Sequence, residues 1–299
     1  MLDRLRRRPA LAATERTVRD VAKEWQDDRV SGLAAEVAFF GILSLFPGML
    51  ALAAGLGALE AIAGAGAAAE AEAEVIAFLE RILTEDASET VDAVQALFEE
   101  SSPGLLTISL ALALWAASRG TAAVIRALDV AYDVEERRSW FALRGLAVAL
   151  ALGSVVVTVV LLAMLVLGPL LGGGRQVAEW VGLGDVFATL WDWVRWPVVA
   201  VVVVAWAATI FHVGPNRRST WRSDLPGAAL TAVLWILLTV GFRGYLGVAG
   251  GGNQVFGVLG GSLVVLLWLY LLAIGLLVGG ELNAVLARRA GVPAEPRSP

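Results

Sequence analysis

The sequence predicts an all-α, polytopic membrane protein with six transmembrane helices. Three observations predict it: an apolar composition, apolar residues gathered in long runs, and an alternation of basic and non-basic segments between those runs. Of the 299 residues, 58% are hydrophobic and 17% are charged, whereas a soluble domain is about 45–50% apolar and about 25% charged. The mean hydropathy of +0.73 fits a chain whose surface faces lipid.

Six segments are long and apolar enough to cross a bilayer, which requires about 20 residues at a rise of about 1.5 Å each. The predicted spans are 33–58, 105–128, 142–168, 195–213, 225–249 and 257–282. They divide the chain into an N-terminal segment, 1–32, a six-span domain, 33–284, and a tail, 285–299. The polar, proline-containing tail is expected to be disordered.

Basic residues alternate from one side of the predicted bundle to the other. They are frequent in four segments, 1–32, 129–141, 214–224 and the tail, and sparse in the three between them, 59–104, 169–194 and 250–256. Retained positive charge marks the cytoplasmic side of a membrane protein. Both termini are therefore predicted to lie in the cytoplasm, with the chain in a bacterial inner membrane.

Short amphipathic helices are predicted outside the spans. In the N-terminal segment, apolar residues recur at helical spacing: Val18, Val21, Ala22 and Trp25. This pattern is typical of a helix in the membrane interface. The external loop 59–104 carries one arginine against eleven carboxylates, and helical periodicity predicts two short helices there. That loop is either a solvated acidic cap or a vestibule that collects cations.

Polar side chains near the cytoplasmic ends of the spans mark a candidate site, because charges are costly in hydrocarbon and usually face protein or water. They are Glu36, Arg119, Arg126, Glu281 and Asn283. Arg119 and Arg126 are seven residues apart and share a helix face, and Glu36 or Glu281 is placed to pair with Arg119. The group is either a structural ion pair with snorkelling side chains or a polar, proton-coupled pathway.

Pro47 lies within the first predicted span and predicts a kink there. Proline removes one backbone hydrogen bond, and Ser44 or a neighbouring helix can satisfy the freed carbonyl. Broken helices line substrate sites in many transporters, whereas other kinks serve packing alone. Both interpretations stay open.

Enzymatic chemistry has little support in the sequence. There is no cysteine, and His212 is the one histidine, so a zinc centre or a histidine-rich nuclease centre cannot be assembled. A Ser-His-Asp triad would depend on His212, and no Gly-x-Ser-x-Gly elbow accompanies it. We therefore expect no catalytic residue, no metal and no cofactor.

Four motifs in order resemble a known family. They are Ala38–Pro47 (AFFGILSLFP), Trp115–Tyr132 (WAASRGTAAVIRALDVAY), Pro215–Arg218 with Pro226–Ala228, and Trp268–Tyr270 with Gly280–Ala284. Together they resemble the YihY/BrkB family of membrane proteins over about residues 25–290. One departure is Phe256, which stands where a tyrosine is commoner.

The resemblance implies a six-helix inner-membrane protein of poorly defined activity. Some members of the family are linked to serum resistance in pathogens, a transport role has been proposed, and members were once labelled ribonuclease BN. The ribonuclease label is disfavoured here because the chain lacks metal ligands. Its basic residues lie in short turns beside the spans, where topology and anionic lipid explain them.

Three functions remain open from the sequence. A transporter or channel for an unidentified small solute is favoured by Pro47, Glu36, Arg119 and the glycine-rich turn before the sixth span. A non-transporting envelope or scaffold protein is the alternative, and an intramembrane enzyme has the least support. The expected partners are the lipid bilayer and the solute, without nucleic acid, and homo-oligomerisation stays open.

Overall fold

The described part of the chain is helical, as the sequence predicts. The structure, a computed structural model, describes residues 9–44, 103–162, 164, 184–249 and 257–291. These residues form seven α-helices: α1 (Pro9–Asp27), α2 (Val30–Ser44), α3 (Pro103–Ala131), α4 (Trp140–Leu162), α5 (Gly184–Val213), α6 (Trp221–Ala249) and α7 (Gly257–Arg289). The all-α prediction is confirmed, and the N-terminal amphipathic pattern lies in α1.

Four of these helices are long and apolar enough to cross a membrane. Their candidate spans, Trp140–Leu161, Trp193–Val213, Trp221–Leu246 and Ser262–Arg289, correspond to the third to sixth predicted spans. The last helix continues past the predicted end at 282, because Ala284 and Val285 remain buried against neighbouring helices. It ends at Arg289, and Gly291 follows with a φ of 68°, a common way to terminate a helix.

The first two predicted spans correspond to α2 and α3. The description of α2 stops at Ser44, inside the first predicted span. Helix α3 covers the second predicted span, but it is not among the four candidate spans found in the described residues. The count of six spans therefore stays a prediction. Pro47, the two helices predicted in 59–104, the turn 250–256 and the tail beyond 291 lie outside the described residues.

The exterior of the bundle is apolar where lipid would surround it. Large aliphatic side chains on α4, α5 and α6 are 55–67% exposed, among them Val155, Val159, Val201, Leu237 and Val240. A soluble monomer rarely exposes apolar patches of this extent. Exposed tryptophans stand where the spans begin, Trp140 and Trp221 at one end and Trp193 at the other. Such belts mark the two membrane–water interfaces.

Helix α7 is the centre of the described bundle. It packs against α1, α3 and α6, and Leu269 of α7 contacts Gly41 of α2. Small residues allow the closest crossings: Gly279 of α7 lies against Thr231 and Gly227 of α6. Close approach through small residues is the usual packing mode of membrane helices.

Four segments meet at one end of the bundle, which we call the basic end. They are the turn between α1 and α2, the connections 132–139 and 214–220, and the last turns of α7. Arg138 donates to the Gly214 carbonyl at 2.7 Å, and Arg288 pairs with Asp133 at 2.7 Å. These are the four arginine-rich segments of the sequence, so their shared end agrees with the predicted alternation. The side of the membrane that this end faces stays a prediction.

Candidate functional site at the basic end

Glu36 pairs with Arg126 and not with Arg119, contrary to the expected pairing. Arg126 Nη2 donates to Glu36 Oε1 at 2.6 Å, and the two side chains are 43% and 41% exposed. Helices α2 and α3 are antiparallel here, because Arg126 meets Glu36 whereas the earlier Gly120 lies against the later Phe40. Arg119, seven residues before Arg126, therefore lies about two helical turns away from Glu36.

Arg119 is held by aromatic rings instead. Its guanidinium lies 5.7 Å from the ring centroid of Phe40 and 5.3 Å from that of Trp115, a cation–π arrangement. The nearby Thr121 hydroxyl donates to the Ala147 carbonyl at 2.6 Å, and Ala147 lies about 10 Å inside the α4 span at 1.5 Å per residue. Arg119 is thus an exposed charge well inside an apolar layer, and no ion pair to it is found among the described residues.

Ser44 makes a local bond. Its hydroxyl donates to the Gly41 carbonyl at 2.7 Å, one turn back along α2, as serine often does within helices. The carbonyl that Pro47 would leave without a donor belongs to Leu43. The kink itself falls outside the described residues and stays a prediction.

A second polar cluster, at the start of α6, is centred on the fully buried Asp224. Its Oδ1 accepts from Arg217 Nη2 at 2.5 Å, and its Oδ2 accepts from the Ser219 hydroxyl at 2.9 Å. His212 Nδ1 lies 3.0 Å from the same Oδ2. The Arg217 guanidinium lies 3.7 Å from the ring centroid of Tyr132, and burial raises the pKa of that tyrosine to about 12. A buried charge needs this degree of pairing.

Ser219, His212 and Asp224 lie together without the geometry of a catalytic triad. His212 Nδ1 is 3.1 Å from the Ser219 hydroxyl and 3.0 Å from the Asp224 carboxylate, so one ring nitrogen meets both groups. A triad needs opposite ring nitrogens for the carboxylate and the nucleophile. Across the described residues, no group of three histidine or carboxylate side chains has the geometry to hold a metal ion.

Asn283 joins α7 to the proline-containing start of α6. Pro226 has no N–H to donate, and the neighbouring Gly227 N–H donates to Asn283 Oδ1 at 2.7 Å. In return, Asn283 Nδ2 donates to the Asp224 carbonyl at 3.0 Å. The buried amide therefore joins the first turns of α6 to α7 through two hydrogen bonds to backbone groups.

Asn216 and Arg138 connect the two loops of the basic end. The Asn216 backbone N–H donates to the buried Asp129 carboxylate at 2.7 Å, and its side chain donates to the Glu135 carbonyl at 3.1 Å. Arg138 pairs with Glu136 at 2.7 Å. Burial alone would raise the pKa of Glu136, but hydrogen bonds from Arg138 outweigh it and hold that pKa below its ordinary value.

Glu281 lies inside α7 and does not pair with Arg119, the partner considered for it from the sequence. Its side chain is fully buried, and both carboxyl oxygens lack a hydrogen-bond donor among the described residues. The Glu281 carboxyl group lies against another carboxyl group, that of Asp28 in the turn between α1 and α2. Arg288 is engaged by Glu24 at 3.0 Å and Asp133 at 2.7 Å.

The sequence-predicted residues thus separate into three places: Glu36 with Arg126 and Arg119 between α2 and α3, Asn283 between α6 and α7, and Glu281 beside Asp28. Sequence reasoning missed the Asp224 cluster and the role of Asp28. It explained the basic residues of 214–224, which include Arg217, by topology, and it considered His212 as the histidine on which a catalytic triad would depend. The available signal was Asp224 itself, an acid in the first turn of a span, between the two parts of the third quoted motif.

The outward aliphatic surface, the spanning helices and the buried polar layer define a multi-pass α-helical membrane protein. Residues 21–299 match the family model described as Virulence factor BrkB. The chain therefore belongs to the BrkB virulence factor family, and the resemblance inferred from its motifs is confirmed.

Relatives place the chain among bacterial membrane proteins. It is 31% identical over 266 residues to the putative ribonuclease-like protein YfkH of Bacillus subtilis (strain 168), an alignment that covers 88% of this chain and 92% of the relative. It is 33% identical over 90 residues to a UPF0761 membrane protein of Stenotrophomonas maltophilia (strain K279a), covering 30% of this chain and 21% of the relative. No solved structure matches.

Proposed function

We propose that this protein is a transporter or channel for an unidentified small solute in the bacterial inner membrane, with both termini in the cytoplasm. The observation that carries the proposal is the position of Arg119. Its exposed guanidinium lies beside Phe40 and Trp115, at a depth of about 10 Å measured from the start of the α4 span. A charge at such a depth almost always faces protein or a water-filled cavity. An aqueous path past α2 and α3 would supply that environment.

The Glu36–Arg126 pair supports the same path. It lies about two turns from Arg119 towards the basic end, and both of its side chains are about two-fifths exposed. Arg119 and Arg126 share a face of α3, so the three charges form a line from the basic end into the bundle. Such a line offers a small charged or polar solute successive partners on its way through the membrane.

Solute flux in proteoliposomes tests the proposal. Purified wild type, Glu36→Gln and Arg119→Gln would be compared across a panel of cations, organic acids and lipids, with Arg19→Gln as the control, because Arg19 is an exposed arginine on α1. We expect flux through wild type and the control, and a loss of about tenfold or more in Arg119→Gln, equivalent to about 1.4 kcal/mol. Equal flux in folded Arg119→Gln would remove Arg119 from the pathway.

A non-transporting scaffold protein is the second candidate, and the Asp224 cluster favours it. That cluster is buried and joined by short bonds to α5, α6 and α7, as a rigid bundle would require. No flux for any solute in the panel would support this alternative. The exposed face of α2 and α3 would then be tested as an interface between copies of the chain, by cross-linking single cysteines introduced beside Arg126.

A further inference from the structure

The turn between α1 and α2 brings a carboxyl group against the buried carboxyl group of α7. Asp28 follows α1 directly, and the left-handed backbone of Arg29 (φ 52°) turns the chain into α2. This geometry places the carboxyl group of the half-buried Asp28 against that of Glu281. Glu281 is 0% exposed and has no hydrogen-bond donor among the described residues.

Two ionised carboxylates cannot satisfy each other, because each can only accept hydrogen bonds. Nearby charge does not resolve the conflict. The Asp28 carboxyl group faces Glu24 of α1, Asp133 of the connection after α3, and Arg288 of α7. The guanidinium of Arg288 is already paired with Glu24 at 3.0 Å and with Asp133 at 2.7 Å.

We propose that Asp28 and Glu281 form a binding site for one proton, held between the two carboxyl groups, and that this proton stabilises the contact between the α1–α2 turn and α7. One protonated carboxyl donates to the other carboxylate, which gives Glu281 the partner that it otherwise lacks. Burial raises the pKa of Asp28 above its ordinary value, with Asp133 and Glu24 acting in the same direction and Glu281 and Arg288 against it. The inference stands whether or not the protein moves a solute.

Loss of the proton places two negative charges together and weakens the contact between the α1–α2 turn and α7. Other contacts between α1 and α7 include the pairs of Arg288 with Glu24 and of Arg289 with Asp20, at 3.0 and 2.5 Å. An apolar groove of about 460 Å³, whose lining includes Val21, Trp25 and Val278, separates parts of α1 from α6 and α7. We therefore expect α1 to loosen from the bundle at high pH while the spans remain folded.

Spin-label distances test this on the full chain. The chain has no cysteine, so Arg19→Cys on α1 and Arg222→Cys on α6 give a clean labelled pair. In detergent micelles from about pH 5 to about pH 9, wild type should show a narrow distance distribution at low pH and a broader, longer one at high pH. In Glu281→Gln the distance distribution should stay narrow at every pH, because the glutamine amide can donate to Asp28 throughout the range. Asp27→Asn, one residue away and exposed, should behave as wild type.

Infrared difference spectroscopy supplies an independent reading. We expect a carbonyl band from a protonated carboxylic acid that titrates in wild type and Asp27→Asn, is altered in frequency and titration in Asp28→Asn, and is absent from Glu281→Gln. A pH-independent distance together with no such band in wild type would overturn the proposal. A change in distance that depends on the concentration of sodium, potassium or magnesium at constant pH would also overturn the proposal, since the site would then bind a metal cation and not a proton.

Discussion

At the scale of single residues, buried polar residues of the basic end form hydrogen bonds that involve backbone groups of neighbouring segments. Asn283 accepts from the Gly227 N–H and donates to the Asp224 carbonyl, and Asn216 bonds Asp129 and the Glu135 carbonyl. In hydrocarbon, a backbone group without a partner costs several kcal/mol. These hydrogen bonds hold the start of α6 and the connection 214–220 to neighbouring segments.

Replacing Asn283 by alanine should therefore destabilise the protein. The change removes two buried hydrogen bonds between α7 and α6, at a cost of about 0.5–1.5 kcal/mol each. Thermal unfolding in detergent micelles, followed by tryptophan fluorescence, measures it. Thr209→Ala is the control, because that hydroxyl bonds only the Ala205 carbonyl of its own helix in the described structure. Equal melting temperatures for the two variants would contradict the role of Asn283.

Glu136 should make stability fall on acidification. Its pKa is held below the ordinary value, so its contribution is present above the unfolded-state pKa and is lost as pH falls through the folded-state pKa. Glu136→Gln should lower stability at neutral pH and flatten the acid side of the melting-temperature profile. The neighbouring Glu135→Gln is the matched control, since Glu135 is 84% exposed and its pair with Arg137 spans 3.6 Å. A steep acid loss preserved in Glu136→Gln would exclude this contribution.

At the scale of helices, the closest crossing is that of α6 and α7. A Cβ at Gly227 would collide with the Gly279 carbonyl and the Asn283 amide, and a Cβ at Gly279 with Thr231 and the Gly227 carbonyl. The two helices therefore touch through backbone, which requires glycine at both positions. Other crossings use larger side chains, such as Leu128 against Gly280. The sequence shows the glycines but not which of them face a neighbour.

Two glycine substitutions in α6 should have opposite effects. Gly227→Ala must push α7 away from backbone atoms, and overpacking of this kind costs about 1–3 kcal/mol or more. Gly241→Ala meets nothing within 4 Å and should be neutral or stabilising by up to about 1 kcal/mol, because alanine favours helix. Melting temperatures of the two purified variants give the comparison. A stable Gly227→Ala protein would show that the crossing tolerates a wider separation.

At the scale of the whole molecule, the described segments that carry most arginines gather at one end of the bundle. Arg138 of the first connection bonds the Gly214 carbonyl of the second, and Arg288 near the end of α7 bonds Asp133 and Glu24. The positive-inside rule assigns such an end to the cytoplasm. Bonds between these loops then hold the helices together on that side.

Single-cysteine labelling should place the basic end in the cytoplasm. We expect Ser139→Cys and Thr220→Cys to react with a membrane-impermeant thiol reagent only after cells are permeabilised, since both residues are exposed at that end. Ser88→Cys, in the predicted external loop, should react in intact spheroplasts. The absence of native cysteine removes background labelling. Reaction of Thr220→Cys in intact spheroplasts would reverse the orientation.

The sequence by itself determined the helical class, the positions of the four clearest spans and the family. Long apolar runs and arginine clusters carry this information locally, because span length and interfacial charge do not depend on a partner. It also identified Glu36, Arg126, Glu281 and Asn283 as polar residues in apolar segments. Each of these predictions depended on one stretch of chain.

Only the tertiary structure decided what those residues contact. Glu36 pairs with Arg126, 90 positions away, Asn283 bonds Gly227, 56 positions away, and Glu281 meets Asp28. A helix that is apolar all round carries little periodic signal of which face turns inward. The rotation of each helix, and with it every partner of a buried charge, is set by the packing of small residues between helices.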